Sequence, residues 1–102
     1  MKKIINGKKY NTETATKLGD RWNGLSKSDF GRVYEELYRK KTGEYFLYGE
    51  GGPMTKYSVS VGQNCWTGGE MIIPLTEEEA REWVEMYLEA DEYELIFGEV
   101  EE

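Results

Sequence analysis

Thr76 and Glu79 stand three residues apart at the head of an apolar stripe, and this pattern limits the possible folds more than any other in the chain. It is a capping box: the Thr76 hydroxyl accepts from the Glu79 amide, and the Glu79 carboxylate accepts from the Thr76 amide. Glu77, Glu78 and Glu79 also suit the positive end of a helix dipole. Pro74, just upstream, cannot extend the helix backwards. Ala80, Trp83, Val84, Tyr87 and Leu88 then follow at i, i+3, i+4, i+7 and i+8, which predicts one apolar helical face. The opposite face carries Glu78, Glu82, Glu85 and Glu89. Arg81 is the one base in the segment and is spaced for pairs with Glu77 and Glu85, each worth ~0.3–0.5 kcal/mol if exposed.

The row of glutamates is part of a wider asymmetry. Residues 70–102 hold thirteen Asp/Glu against one Arg, a balance of −12, whereas residues 1–69 hold seven against twelve Lys/Arg, a balance of +5; together these give the net −7. An acidic helix face is ordinarily solvated surface. A field this concentrated also steers basic partners and repels phosphate. Nucleic-acid-binding proteins present basic grooves, so a row of carboxylates suits one as a decoy.

A length of 102 residues predicts a single domain over 1–102, with an acidic helical part at 70–98 and a frayed tail at 99–102. Such a domain buries about 65% of its unfolded surface. No run approaches the ~20 apolar residues of a membrane helix, and no signal peptide is evident, so no membrane role is expected. The lone Cys65 excludes an internal disulfide and fits a reducing cytoplasm. Without histidine, Ser-His-Asp and Cys-His catalysis and histidine metal sites are excluded. No cofactor or metal is expected, and Cys65 reads as a small apolar filler.

Lys2 to Tyr10 reads as a hairpin turning at Asn6-Gly7, with the lysines protecting an edge. Asn11 to Gly19 predicts a short helix, capped by Asn11 or Thr12, with Ala15 and Leu18 facing inward and Gly19 as its stop. Residues 20–29 read as loop. Two readings compete for 30–41. Phe30, Val33, Tyr34, Leu37 and Tyr38 fit a helical stripe. A strand around Glu35 to Lys40 fits equally, turning through Lys41-Thr42-Gly43 with Gly43 in the left-handed position. The strand-like Glu44 to Tyr48 needs a neighbour for its backbone groups, and the hairpin supplies one.

Gly49 to Pro53 predicts a structural turn that breaks the strand; the P-loop pattern is missing. Tyr57 to Val61 reads as a short strand, Gln63 to Gly69 as loop, and Glu70 to Ile73 as a last strand. Asp91-Glu92-Tyr93-Glu94 repeats a cap-like pattern before a helix ending near Gly98, with Leu95, Ile96 and Phe97 read as core. The fold class is therefore α+β: a small, mostly antiparallel sheet of two hairpins plus a short strand, with a short N-terminal helix and two C-terminal helices packed on it.

Three segments, Lys3 to Ala15, Leu37 to Gly52 and Ile72 to Ala80, together resemble small proteins carried by phages and mobile elements of Gram-positive bacteria. That group includes anti-CRISPR and other anti-defence proteins. The resemblance covers most of the chain except residues 20–34 and 58–69. It implies a role against host defence and carries over no catalytic residue.

Two functions follow as expectations. In the first, a non-enzymatic inhibitor binds a protein partner with a basic nucleic-acid groove, such as a CRISPR effector complex. Glu78, Glu82, Glu85 and Glu89 supply the charge, or else the basic aromatic hairpin at Arg39, Lys40, Lys41, Tyr45 and Tyr48 makes the contact. The second is an accessory nucleic-acid-binding module that uses the basic N-terminal half, which the net charge disfavours. The oligomeric state is monomer or homodimer. An enzyme would need separated carboxylates such as Glu35 and Glu50 to meet.

Overall fold

A computed structural model describes residues 1–102. The N-terminal hairpin forms as the turn chemistry dictates. Strands β1 (Lys2–Ile5) and β2 (Lys8–Asn11) pair antiparallel, and Asn6 and Gly7 take the positive φ values, 52° and 77°, that a type I′ turn requires. The centre of the fold is a four-stranded antiparallel sheet of β3 (Thr16–Trp22), β4 (Val33–Arg39), β5 (Tyr45–Gly51) and β8 (Gly69–Leu75), in that spatial order. Between the last two in sequence, β6 (Val59–Gly62) and β7 (Cys65–Thr67) make a separate two-stranded finger. Helices α1 (Glu77–Tyr87) and α2 (Ala90–Phe97) close the chain.

The hairpin reading of 35–48 holds. Lys40 and Glu44 close the turn, and Gly43 sits at φ 94°. The capping box at Thr76 and Glu79 is also present in both directions, at 3.1 and 2.9 Å. Pro74 lies in β8, an edge strand, where its missing N–H is tolerated.

The expected N-terminal helix is absent, and both helices are C-terminal. Asn11 does cap locally: its side chain accepts from the Glu13 amide and its carbonyl from the Thr14 and Ala15 amides. The turn stops there because Thr12, Thr14 and Thr16 are poor helix residues and β4 offers a backbone edge to pair with. Residues 16–22, expected as helix end and loop, become β3. Gly19 is not a helix stop; a Cβ there would lie 2.6 Å from Leu88 Cδ1, so the glycine seats the end of α1.

Three further expectations change. The glycines from Gly49 to Gly51 do not break β5, which runs through them because neighbouring strands pair on both sides. Residues 63–69 are not loop: Asn64, at φ 57°, turns the chain and Cys65–Thr67 returns as a strand. Cys65 is therefore exposed on the finger, not a core filler. Helix α2 starts at Ala90, one position before the expected cap, with the Glu89 amide donating to the Glu92 carboxylate at 3.3 Å.

The sheet separates two small cores. On one face, Leu37, Tyr45 and Leu47 meet Ala80, Trp83 and Val84 of α1. On the other, Tyr38, Phe46 and Ile72 meet Tyr10 of the N-terminal hairpin. Ile96 and Phe97 border the first core, as read from the sequence, but Leu95 points to solvent. Only 13 of the 102 residues are buried, so each core position carries a large share of the stability.

Candidate functional site

Strand parity decides which charged groups can act together. Glu35 and Glu50 do not meet, because β4 pairs Glu35 with Gly49 and Tyr34 with Glu50, which puts the two carboxylates on opposite faces. Glu35 faces α1 and is fully buried. Four donors surround it: Arg21 Nε at 2.9 Å, Lys56 Nζ at 2.7 Å, Trp83 Nε1 at 3.0 Å, and the Tyr57 hydroxyl. Burial by itself would raise its pKa. The hydrogen bonds from Lys56, Tyr57, Trp83 and Arg21 outweigh that and hold the carboxyl at about 2. Burial and the Glu35 charge push the Tyr57 phenol far up in turn. Glycine at 49 is required here, because a Cβ would overlap the Tyr57 ring that crosses it. With each carboxylate oxygen accepting two bonds and no exposed surface of its own, Glu35 clamps the fold.

The opposite sheet face holds a second tyrosine–carboxylate set. Tyr34 and Tyr38 donate to Glu36 at 2.5 and 2.7 Å, and Tyr48 donates to Glu50 and Glu70 at 3.1 and 2.7 Å. Glu50 and Glu70 lie directly opposite each other across β5 and β8, so the shared Tyr48 proton relieves their repulsion. Burial and the Glu36 carboxylate push the Tyr34 and Tyr38 phenols to about 12.

The basic aromatic hairpin does not assemble as one surface. Tyr45 is buried, with its ring centroid 5.8 Å from that of Phe97. Tyr48 points to the other side of the sheet. Lys40 is held by Glu44 at 3.2 Å and lies over the Tyr10 ring, and Arg39 is half-buried. Lys41 alone projects freely from the turn. Alternation along a strand sends Tyr45 and Tyr48 to opposite faces whenever the hairpin forms.

The acidic face of α1 does assemble. Glu78, Glu82 and Glu85 are exposed along its outer side. Arg81 is committed to Glu77 at 3.0 Å and to the Tyr93 hydroxyl at 3.1 Å, and it lies over the Phe97 ring. The three outer glutamates thus have no basic partner on their helix. With a rise of 1.5 Å per residue they are spaced about 6 and 4.5 Å along the axis. That is the order of the ~3.4 Å axial charge spacing of one nucleic-acid strand. Glu89 leaves the row, because α1 ends at Tyr87 and Glu89 opens α2. It still borders the site: Glu85, Glu89 and Glu94 rim a groove of about 610 Å³ between the helices, whose apolar lining includes Val84, Leu88 and Tyr93.

One surface has no counterpart in the sequence expectations. Trp22, Phe30, Met54 and Trp66 are exposed around the 23–32 loop and the finger. Phe30, Met54 and Trp66 line one cleft of about 680 Å³. The available signal was the absence of any charge from residue 57 to 69 in a chain that is 32% charged.

No protein-family model, curated protein or solved structure matches the chain. No helix is long and apolar enough to cross a membrane.

Proposed function

We propose that the chain is a non-enzymatic inhibitor of a bacterial defence system, most concretely an anti-CRISPR protein, that sets its α1 face into a basic nucleic-acid groove of an effector complex. The observation that carries this reading is the unpaired row Glu78, Glu82 and Glu85 on a helix with a complete N-terminal capping box. The adjoining groove strengthens it. An apolar lining rimmed by Glu85, Glu89 and Glu94 accepts the methylene stems of Lys or Arg while the rim meets their charges. The defence setting comes from the resemblance to phage and mobile-element proteins.

The test is phage plaquing in isogenic Gram-positive hosts with and without an active CRISPR system that targets the phage. Expression restores plaquing only in the CRISPR-positive host, and the effector co-purifies with the protein. Replacing Glu78, Glu82 and Glu85 by Lys abolishes both effects with the fold intact. If no CRISPR type loses activity, or if the lysine variant still inhibits, this mechanism fails.

A further inference from the structure

Every exposed strand edge of the chain except the finger's carries charged residues. Edge strand β3 carries Lys17, Asp20 and Arg21 and a register shift between Lys17 and Gly19. Edge strand β8 carries Glu70 and Pro74. The N-terminal hairpin carries Lys2, Lys3, Lys8 and Lys9. Charges, prolines and bulges of this kind keep exposed edges from pairing with other chains. Strands β6 and β7 carry no charge and no proline, only a register shift between Ser60 and Gly62, and all seven of their residues are exposed. Two strands alone are marginal in water.

We propose that the β6–β7 finger is a self-association element. A second copy pairs antiparallel with its free edge about a two-fold axis, covering Val59, Val61 and Trp66 together with Phe30 and Met54 beside them. Charge selects this occupant. Each copy carries net −7, so two copies repel wherever charged faces meet. The finger strands carry no charge, so two copies can pair there without like charges between the paired strands, and the cleft beside them is lined by both signs, Lys27 and Arg32 with Asp29 and Glu50. A free strand edge is also complementary to itself, since an antiparallel two-fold pair exchanges the same donors and acceptors in both directions.

The exposed area is sufficient. Phe30 is 63% exposed, Met54 78%, Val61 64% and Trp66 60%. With aromatics burying ~150–250 Å² each, these residues leave roughly 500 Å² per copy. Two copies then remove roughly 1,000 Å² from water, the lower bound for a specific interface. The finger leaves the sheet where Gly51 pairs Gly69, at the end opposite the 40–44 turn, so the pairing lies clear of the N-terminal lysines.

Sedimentation equilibrium of the whole chain tests this directly. The expected mass at high micromolar concentration is twice 11.9 kDa. Val61→Lys with Trp66→Lys halves it, because each copy then brings like charges to the shared edge. Ser60→Lys, at another exposed finger position, does the same and guards against misfolding of the first variant; circular dichroism checks both. Glu82→Lys with Glu85→Lys, on the far helix face, keeps the doubled mass. A wild-type chain that stays at 11.9 kDa overturns the proposal. So does a doubled mass that survives folded finger variants.

Discussion

Neutralising Glu35 tests the clamp, and its cost can be worked out in two independent ways. Glu35→Gln keeps the shape of the side chain and removes the charge that Arg21 and Lys56 face. Removing one partner of a buried ion pair costs ~3–5 kcal/mol. The proton equilibrium gives a similar figure. Glu35 titrates at about 2 in the fold against an ordinary 4.5. A gap of that size corresponds to about 3 kcal/mol at 1.36 kcal/mol per pH unit. Its folded pKa is depressed, so this stability is fully present above pH 4.5 and is lost as pH falls toward 2. Urea unfolding at neutral pH should therefore show Glu35→Gln less stable by about 3 kcal/mol, with Tm lower by roughly 12–24 °C. The gap between wild type and variant should close as pH drops through that window. Glu36 and Glu44 are also held low by their partners and add their own acid sensitivity, but to both proteins alike. A loss below ~1 kcal/mol, or a gap that persists unchanged at pH 2.5, would refute the clamp.

Gly49→Ala should cost at least ~2 kcal/mol, because the new methyl displaces Tyr57 from Glu35, and hydrogen exchange should rise first in residues 52–69. Thr76→Ala removes the α1 cap and should cost ~1 kcal/mol in urea unfolding, with the Glu79 amide left to water. Replacing Glu78, Glu82 and Glu85 by Lys touches exposed side chains only, so stability should fall by about 1 kcal/mol, mainly from the first-turn position 78, while partner binding is lost.

The elements that could be read from the sequence were those whose signals are local. Thr76, Glu79 and the 3.6-residue stripe define α1 within one stretch of chain, and Asn6-Gly7 defines its hairpin within four residues. Strand β3 was hidden because Asn11 to Ala15 satisfies cap rules for a single turn, while the strand depends on β4, which lies more than ten residues away in the chain. The acidic face was legible apart from Glu89, whose place depends on where α1 stops. Glu35 was visible as a carboxylate but not as a clamp. Once the 40–44 turn sets the register, Glu35 falls between Val33 and Leu37 on the inward face, opposite Gly49. A charge at an apolar position facing a glycine is the readable mark. Its four donors come from β3, from the segment before the finger and from α1, and no spacing rule joins them.

The Glu35 clamp also bears on how the chain reaches its fold. Its bonds to Arg21, Tyr57 and Trp83 span 14, 22 and 48 residues. Loop-closure entropy grows with the logarithm of span, so the Trp83 contact costs about 1 kcal/mol more to close than the Arg21 contact. The β3–β4 pairing can form early with Glu35 still hydrated against Arg21. Full burial of the carboxylate requires α1, which brings Trp83. Interactions completed after the transition state act on the rate of escape and leave the rate of entry alone. If Trp83 docks after the transition state, the clamp is a latch: Glu35→Gln then speeds unfolding and leaves the folding rate unchanged, which stopped-flow urea kinetics reads directly.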